Sequence, residues 1–268
     1  MDNKPVIFIG AERIGKAVLS RLLYEKKNIV AVVTAQADLK ERIADYVDFS
    51  ELARNHPDVD FYYTHNTKDP RVIEIVRRYK PQLILVASWS QIIPRDMLLL
   101  PPQGVVGMHY SMLPERRGGA PLNWAIIDGL KESGITLFYM DEGIDTGDII
   151  GQEKFGIGPR DTVNDLLKKI EQIAPELFLY YIDAILAGQA PRVPQNHAQA
   201  TYTPRRTPEQ SEIDWNLDLE SIDTFIRALA PPYPSAFCKL GNKQITFTGV
   251  TPNGNRLEIG GYIEESRV

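Results

Sequence analysis

The chain has 268 residues, of which 43% are hydrophobic and 24% are charged, a composition typical of a globular protein. Thirty basic and thirty-five acidic residues leave a net charge of −5, which argues against a dedicated nucleic-acid-binding protein, because such proteins carry a basic surface. The single cysteine, Cys238, excludes an internal disulfide framework and a multi-cysteine zinc site, and we expect no metal. The start of the chain has no long apolar run and no stretch is long enough to span a bilayer, so the sequence predicts a cytoplasmic protein without a signal peptide.

Short apolar runs alternate with amphipathic stretches in the first half of the chain. The apolar runs predict strands at Pro5–Ile9, Ile29–Val33, Leu83–Ala87, Val105–His109 and Ile135–Met140. Apolar residues at helical spacing predict helices at Ile14–Tyr24 and from Val72 to about Lys80. Strands that are apolar throughout are typical of burial on both faces of a parallel sheet. The sequence therefore predicts an α/β fold with a Rossmann-like, doubly wound and mostly parallel sheet.

The second half begins with the longest helical pattern, Thr162–Leu186, which Asp161 is expected to cap and Gly188 to end. A proline-rich stretch at 189–208 is typical of a linker. Beyond it, the pattern predicts a helix at Ile213–Leu229 and short strands separated by turns at 241–242 and 253–254. We therefore expect a large α/β domain at 1–188, a linker at 189–208 and a small β-rich domain, a reduced barrel, at 209–268.

The loop after the first strand is similar to two nucleotide-binding motifs. Its sequence from Gly10 to Ala17, GAERIGKA, is close to the phosphate-binding pattern GxxxxGK[ST], but Ala17 lacks the hydroxyl that would hold Mg²⁺. The dinucleotide pattern GxGxxG is absent, and the second strand ends without a carboxylate for a ribose. We therefore favour the interpretation that the glycines of this loop allow a tight turn and close packing of the helix on the sheet. A nucleotide hydrolase remains an alternative.

The segment from Gly107 to Asp148 contains the residues best suited to catalysis. His109 ends a buried strand, on the side of a parallel sheet where ligand crevices open. An acidic loop, Asp141–Asp148, follows another strand of the same sheet. A carboxylate from that loop could reach the imidazole, fix its tautomer and raise its basicity. The alternative is a structural histidine that is hydrogen-bonded within the protein.

This segment resembles the catalytic core of the formyltransferases that use 10-formyltetrahydrofolate. That group includes glycinamide ribonucleotide and methionyl-tRNA formyltransferases and the N-formyltransferases of nucleotide-linked amino sugars. Its pattern is N-x-H-x-S-L-L-P-x-x-R-G, followed by D-x-G. The chain matches the pattern at His109, Ser111, Leu113, Pro114, Arg117, Gly118, Asp145 and Gly147. The likeness covers most of residues 80–188, which implies that 1–188 is the formyltransferase catalytic domain.

The resemblance implies a mechanism in which the acceptor amine attacks the formyl carbon. The histidine and the aspartate, His109 and Asp145 here, stabilise the oxyanion and move protons. In the family, an asparagine two residues before the histidine helps to hold the formyl oxygen, but this chain has Gly107 there. Loss of one oxyanion donor costs about 10²–10³-fold in turnover. Either another donor such as Asn123 or Ser88 replaces it, or activity is low, or the chemistry has drifted. We predict that Gly107→Asn keeps or raises formyl transfer.

The resemblance also implies a folate site that binds 10-formyltetrahydrofolate as co-substrate. It is formed by the loop after the strand at 83–87 and by the stretch that leads to the aspartate. The implied residues are Ser88, Trp89, Gln91, Ile92, Ile93, Asp141, Gly143 and Asp145. Backbone groups would bind the pterin edge and Ile92 would cover its ring. Core packing is the alternative for Trp89 and Ile92.

The acceptor is predicted from weaker signals. The implied acceptor-binding residues are Ser111, Arg117, Gly118, Pro121 and Asn123. The segment 230–237, APPYPSAF, is similar to that of the amino-sugar enzymes, and residues 189–268 carry eight basic and nine acidic residues, whereas a tail that grips tRNA should be positive. We therefore expect a nucleotide-linked amino sugar, whose diphosphate one or two arginines among Arg116, Arg117 and Arg206 can bind. We expect no nucleic acid and no membrane as partners, and the apolar tail strands allow a homodimer.

Three alternatives stay open. The first is methionyl-tRNA as the acceptor, which is the rival within the same class. The second is a formyltetrahydrofolate hydrolase, in which water replaces the amine. The third, suggested by Gly107, is a weakened protein that binds folate or nucleotides without turnover.

Overall fold

The computed structural model describes residues 4–254 and 256–265. The first three residues, on which the expectation of no signal peptide partly rests, lie outside this range. The α-helices are α1 (Arg13–Tyr24), α2 (Ser50–Asn55), α3 (Pro70–Tyr79), α4 (Arg95–Leu98), α5 (Pro121–Ile127), α6 (Val163–Ala187) and α7 (Leu219–Ala228). The strands are β1 (Val6–Ile9), β2 (Ile29–Ala35), β3 (Asp60–Thr64), β4 (Leu83–Val86), β5 (Val105–His109), β6 (Arg117–Gly118), β7 (Glu132–Tyr139), β8 (Ile149–Gly156), β9 (Tyr202–Thr203), β10 (Ala236–Leu240), β11 (Lys243–Asn253) and β12 (Arg256–Glu265). Short 3₁₀ helices lie at Ala37–Leu39, His197–Gln199 and Pro208–Ser211.

The chain forms two compact units, each assembled from separate segments. The first contains the residues up to Arg117, Gly134–Glu153 and Ile170–Thr201. The second contains Gly118–Ser133, Lys154–Lys169 and the residues from Tyr202 onward. The domain boundaries expected along the sequence, at 188 and 209, stay a prediction.

The first unit is built around a sheet with the strand order β3-β2-β1-β4-β5-β7-β8. The five strands from β3 to β5 are parallel, and β7 runs antiparallel to β5. Strands β1 and β4 are buried along their whole length, as their continuous apolar sequences predict. The predicted Rossmann-like, mostly parallel sheet is therefore confirmed.

Helix α3 shows why the helices pack against this sheet. Its apolar residues Val72 and Val76 lie four positions apart, on one face, and both are buried. They belong to a core cluster that includes Ile7 of β1, Ile84 of β4 and further apolar residues of the sheet. The opposite face of the helix carries its charged residues, so burial of one face fixes the helix on the sheet.

The second unit contains the three-stranded antiparallel sheet β10-β11-β12. Its core includes Ile222 and Ile226 of α7 together with Phe247 of β11. The first predicted turn is present, since β10 ends at 240 and β11 begins at 243. At the second, Asn253 pairs with Arg256, so Asn253 belongs to β11 and not to the predicted turn. The small C-terminal β-rich part of the fold is confirmed.

Two predicted helix starts are corrected by the hydrogen bonds at the helix ends. Helix α6 begins after Thr162, whose hydroxyl accepts from the Asp165 N–H at 3.3 Å while the Asp165 carboxylate accepts from the Thr162 N–H at 3.0 Å. Asp161, the predicted cap, instead accepts from the N–H of Gly158. Helix α7 begins at Leu219 rather than at residue 213, because the Asp218 carboxylate caps it and the segment before it is not helical.

Several elements have no counterpart in the prediction. Strand β8 lies at the edge of the sheet, and it is only partly buried, whereas the central strands are buried throughout. Strand β3 lies at the other edge and is mostly exposed or half-buried. Neither has the continuous apolar run by which we recognised the central strands.

Candidate active site

His109 occupies the carboxyl end of β5, opposite Thr136 of β7. It is 8% exposed, and its Nε2 lies 2.8 Å from the carbonyl oxygen of Arg116. Because a carbonyl can only accept a hydrogen bond, Nε2 carries a proton. On the other side of the ring, Nδ1 lies 3.5 Å from Oδ2 of Asp145. The imidazole therefore has an acceptor at each ring nitrogen.

The loop between β7 and β8 holds Asp145 by internal hydrogen bonds. The Oδ1 atom of Asp141 accepts from the Gly143 N–H at 3.0 Å and from the Thr146 hydroxyl at 2.6 Å. A side chain at Gly147 would collide with a backbone carbonyl, so the close turn requires glycine. The structure thus brings His109 and Asp145 together, as we expected from their motif, while Asp141 and Gly143 shape the loop.

Arg117 has a different setting from the expected one. It is 1% exposed, and its Nε and Nη2 atoms donate to Oε1 of Gln195 at 3.1 and 2.6 Å. A side chain that is so deeply buried presents no surface to an acceptor, so Arg117 acts inside the protein. Gln195 lies in the predicted linker, where neither periodicity nor a motif marks it.

The position of the family asparagine is restricted by a neighbour. A Cβ atom added to Gly107 would lie 2.9 Å from Sδ and 3.0 Å from Cγ of Met140. These distances are shorter than ordinary van der Waals contacts, so Met140 occupies the space that a side chain at 107 needs.

Two polar residues of the loop after β4 are bonded within the protein. The Ser88 hydroxyl lies 2.5 Å from the Tyr110 hydroxyl. The Gln91 amide accepts from the Thr67 N–H at 3.1 Å and donates to the His65 carbonyl at 2.8 Å. These bonds fix the shape of the loop.

The apolar residues of the same loop separate into two groups. Trp89 and Ile93 pack with the core cluster of the sheet, which agrees with the structural alternative for Trp89. Ile92 is 73% exposed, a large value for an isoleucine. It is therefore the apolar residue of this loop that is available to cover a flat ring.

Two of the implied acceptor residues are buried and bonded. The Ser111 hydroxyl donates to the Glu115 carbonyl at 2.6 Å. The Asn123 side chain is 2% exposed, and its Nδ2 donates to the Ala228 carbonyl at 2.7 Å. These bonds do not favour contact with the acceptor, nor Asn123 as the donor that replaces the family asparagine.

Gly118 and Pro121 contribute shape to the second unit. Gly118 has a φ of +97°, and a Cβ there would lie 2.6 Å from the Thr203 carbonyl oxygen. Pro121 is buried at the first turn of α5, where the missing N–H costs nothing. Neither residue offers a side-chain hydrogen bond.

The loop between β1 and α1 packs tightly against the end of β4. Cβ atoms at Gly10 and Gly15 would lie 2.5 and 2.6 Å from the Ala87 carbonyl oxygen. This close approach supports the tight-turn interpretation of these glycines. In the same loop, burial and the nearby Asp45 carboxylate raise the pKa of Glu12 to about 8.

Two further features were sought in the chain. Within residues 4–254 and 256–265, no three His, Cys, Asp or Glu side chains are grouped so that they could hold a metal ion. Over the same residues, no helix combines the length and the apolar character that a membrane span requires.

Comparison with known proteins decides the family. A family model described as "Formyl transferase" matches residues 4–182, and one described as "Formyl transferase, C-terminal domain" matches residues 205–266. The chain belongs to the formyl transferase family. It is therefore an enzyme that transfers formyl groups, and the resemblance seen in the sequence is confirmed.

Individual members of this family resemble the chain over most of its length. A methionyl-tRNA formyltransferase of Syntrophus aciditrophicus (strain SB) is 34% identical over 250 residues, which cover 91% of this chain and 78% of that protein. The structure of methionyl-tRNA formyltransferase from Clostridium thermocellum has a TM-score of 0.72 and 26% identity, and the match covers 97% of this formyl transferase and 98% of that chain. WlaRD, a sugar 3N-formyl transferase studied in the presence of dTDP and 5-N-formyl-THF, has a TM-score of 0.64 and 20% identity, with 98% of each chain covered. At that identity WlaRD shows a shared fold alone.

Proposed function

We propose that this formyl transferase moves a formyl group from 10-formyltetrahydrofolate to the amine of methionyl-tRNA. The observation that carries the acceptor is the similarity over most of both chains to an enzyme of that name. The C-terminal family model at residues 205–266 supports the formyl transferase family and names no acceptor. The formyl donor is a formylated tetrahydrofolate, as the family assignment and the compound present with WlaRD support.

A nucleotide-linked amino sugar is the second acceptor candidate. On the sequence alone it is the preferred acceptor, because net charge argues against nucleic acid. The named relatives do not support that exclusion of nucleic acid. The observation that still favours a sugar is the charge of residues 189–268, which carry eight basic and nine acidic residues. A surface that binds a tRNA backbone needs a local excess of cations.

The His109–Asp145 pair is proposed to carry the proton transfers. The neutral acceptor amine attacks the formyl carbon, which forms the new C–N bond and a tetrahedral oxyanion. The attacking nitrogen must then lose a proton, and N10 of the folate must gain one as its bond to the formyl carbon breaks. Since Nε2 of His109 is held by the Arg116 carbonyl, Nδ1 is the atom that exchanges the proton. The Asp145 carboxylate at 3.5 Å stabilises the imidazolium that results.

A steady-state assay with three acceptors tests this function. The purified protein is given 10-formyltetrahydrofolate with methionyl-tRNA, with a panel of dTDP-, UDP- and GDP-linked amino sugars, or with no acceptor. We expect transfer to methionyl-tRNA and little donor consumption without an acceptor. We expect His109→Ala to lower kcat by about 10²–10⁴-fold, the usual contribution of a general acid–base residue.

The matched control is His56→Ala, because His56 lies at the end of α2, outside the site. It should retain at least about half of the wild-type kcat, since surface changes rarely disturb a distant site. Transfer to a sugar alone would replace the proposed acceptor with the second candidate. Normal turnover by His109→Ala would overturn the role of the histidine.

A further inference from the structure

Gln195 has a side-chain amide in which every polar position is bonded. The residue is 6% exposed. Its Nε2 donates to the carbonyl oxygens of Asp145 and Gly147, at 2.9 and 2.7 Å. Its Oε1 accepts from Nε and Nη2 of Arg117, at 3.1 and 2.6 Å. An amide nitrogen has two protons and its oxygen two lone pairs, so this side chain is saturated.

These bonds join the two loops that surround the imidazole of His109. The amide nitrogen bonds the loop of Asp145, and the amide oxygen bonds Arg117, which follows Arg116 in the chain. The backbone near Gln195 is itself anchored, because the Ile149 N–H donates to the Val193 carbonyl at 2.9 Å. The amide thus connects both loops to the start of β8.

The two residues whose oxygens face the His109 ring nitrogens share an unusual backbone conformation. Asp145 has a φ of +53° and Arg116 a φ of +59°. For a residue other than glycine this region costs about 1–3 kcal/mol, so it persists only where the surroundings hold it. Gln195 bonds the carbonyl of Asp145 directly. Its hold on Arg116 is indirect, because it accepts from the buried guanidinium of Arg117, the next residue in the chain.

We propose that Gln195 is a positioning residue for formyl transfer, which holds Asp145 and the Arg116 carbonyl in place around the His109 imidazole. This inference rests on the proposed role of the His109–Asp145 pair. The sequence separation explains why no local pattern marks Gln195: its partners lie 50, 48 and 78 residues away.

Two substitutions separate the hydrogen bonds of the amide nitrogen from those of the amide oxygen. In Gln195→Glu the carboxylate can still accept from Arg117, but it cannot donate, and it repels the carbonyls of Asp145 and Gly147. In Gln195→Met the hydrogen bonds of both amide atoms are lost while the side-chain length is kept. If the hydrogen bonds from the amide nitrogen to the Asp145 loop matter for the chemistry, Gln195→Glu lowers activity even though Arg117 keeps its partner.

The experiment measures kcat, KM for 10-formyltetrahydrofolate and Tm for these variants, alone and combined with Asp145→Asn. We expect each Gln195 variant to lower kcat by about 10–100-fold, the usual effect of residues that orient a catalytic group, with KM changed by less than ~3-fold. In the Asp145→Asn background the same change should lower kcat by less than ~3-fold, because the group that Gln195 positions is already lost.

Gln152→Met is the matched control. Gln152 donates through Nε2 to the Leu113 carbonyl at 2.9 Å and to the Thr136 hydroxyl at 2.8 Å, so the variant also loses two donor bonds, both partly buried. These bonds hold the loop after His109 but not the loop of Asp145. We expect Gln152→Met to lower Tm while its kcat loss stays the same with Asp145 or asparagine at 145.

The outcomes separate the two claims. The positioning role is overturned if Gln195→Glu lowers kcat by the same factor with Asp145 and with asparagine at 145. It is also overturned if both Gln195 variants keep the wild-type kcat while His109→Ala is inactive. Both results leave the proposed function intact. Full activity of Asp145→Asn overturns the proposed role of the His109–Asp145 pair, and a wild-type protein that transfers no formyl group overturns the proposed function. Either result overturns this inference as well.

Discussion

Met140 fills the space beside Gly107, and this contact changes what can be expected of position 107. From the sequence alone, an asparagine there should keep or raise formyl transfer, because it restores the family donor. In the structure, the thioether of Met140 lies where that side chain would begin. Methionine is flexible, but here it also packs against the core cluster of the sheet, so it cannot move without cost.

We predict that Gly107→Asn alone lowers the free energy of unfolding by about 1–3 kcal/mol, the usual cost of overpacking, and does not raise kcat. Combining it with Met140→Ala should recover part of the stability and give a higher kcat than Gly107→Asn alone. Urea denaturation and steady-state kinetics on the four proteins of this cycle measure both effects.

Gly156→Asn is the control for introducing an asparagine into a strand. A Cβ at Gly156 meets no atom within 4 Å, so this variant should change stability by less than ~0.5 kcal/mol. A Gly107→Asn protein that is as stable as wild type and turns over faster would show that Met140 moves freely.

At the level of elements, the ends of helices depend on which polar side chain caps them, and apolar periodicity does not show which one does. Several polar residues precede α6 and α7, and any of them can cap a helix. Thr162 and Asp218 do so, whereas Asp161 bonds a neighbouring turn. Apolar spacing predicted the bodies of these helices, because the core requires that spacing.

The loop between β1 and α1 predicts a pH dependence of stability. The pKa of Glu12 is raised to about 8 by burial and by the Asp45 carboxylate. A raised pKa means that the folded state binds the proton more tightly than the unfolded state. The resulting stabilisation is fully present below about pH 4.5, and it is lost as pH rises through 8, by up to ~1.4 kcal/mol per pH unit.

We therefore expect Glu12→Gln to raise Tm relative to wild type at pH 8–9 and to leave it nearly unchanged at pH 5. Thermal unfolding at several pH values measures this difference. Glu41→Gln, at a side chain that is 84% exposed, is the control and should show no such trend. A constant difference between Glu12→Gln and wild type across the pH range would contradict the assignment.

For the whole molecule, net charge gives a test of the acceptor. The chain carries −5 overall, so contacts with a tRNA backbone must come from local groups of cations. Each phosphate contact releases counterions, and log K then falls with log salt by about 0.7–0.9 per contact. We predict that KM for methionyl-tRNA rises roughly 10- to 100-fold between 50 and 200 mM salt, as several phosphate contacts require.

The KM for 10-formyltetrahydrofolate in the same reactions is the internal control, and it should change by less than ~3-fold. A sugar nucleotide is a small ion without the condensed counterions of a nucleic acid, so its KM should rise by less than that for methionyl-tRNA. A KM for methionyl-tRNA that is independent of salt would count against tRNA as the acceptor.

The sequence by itself determined the family and the parallel sheet, and it predicted the pairing of a histidine with an aspartate. These features depend on continuous apolar runs and on a motif with fixed spacing, which are local or regular along the chain. Only the tertiary structure decided that Arg117 is buried, that Met140 fills the space at Gly107 and that Gln195 joins the two loops beside His109. The reason is physical: these contacts join residues 33 to 78 positions apart, and only the packing of the sheet and its loops brings them within bonding distance.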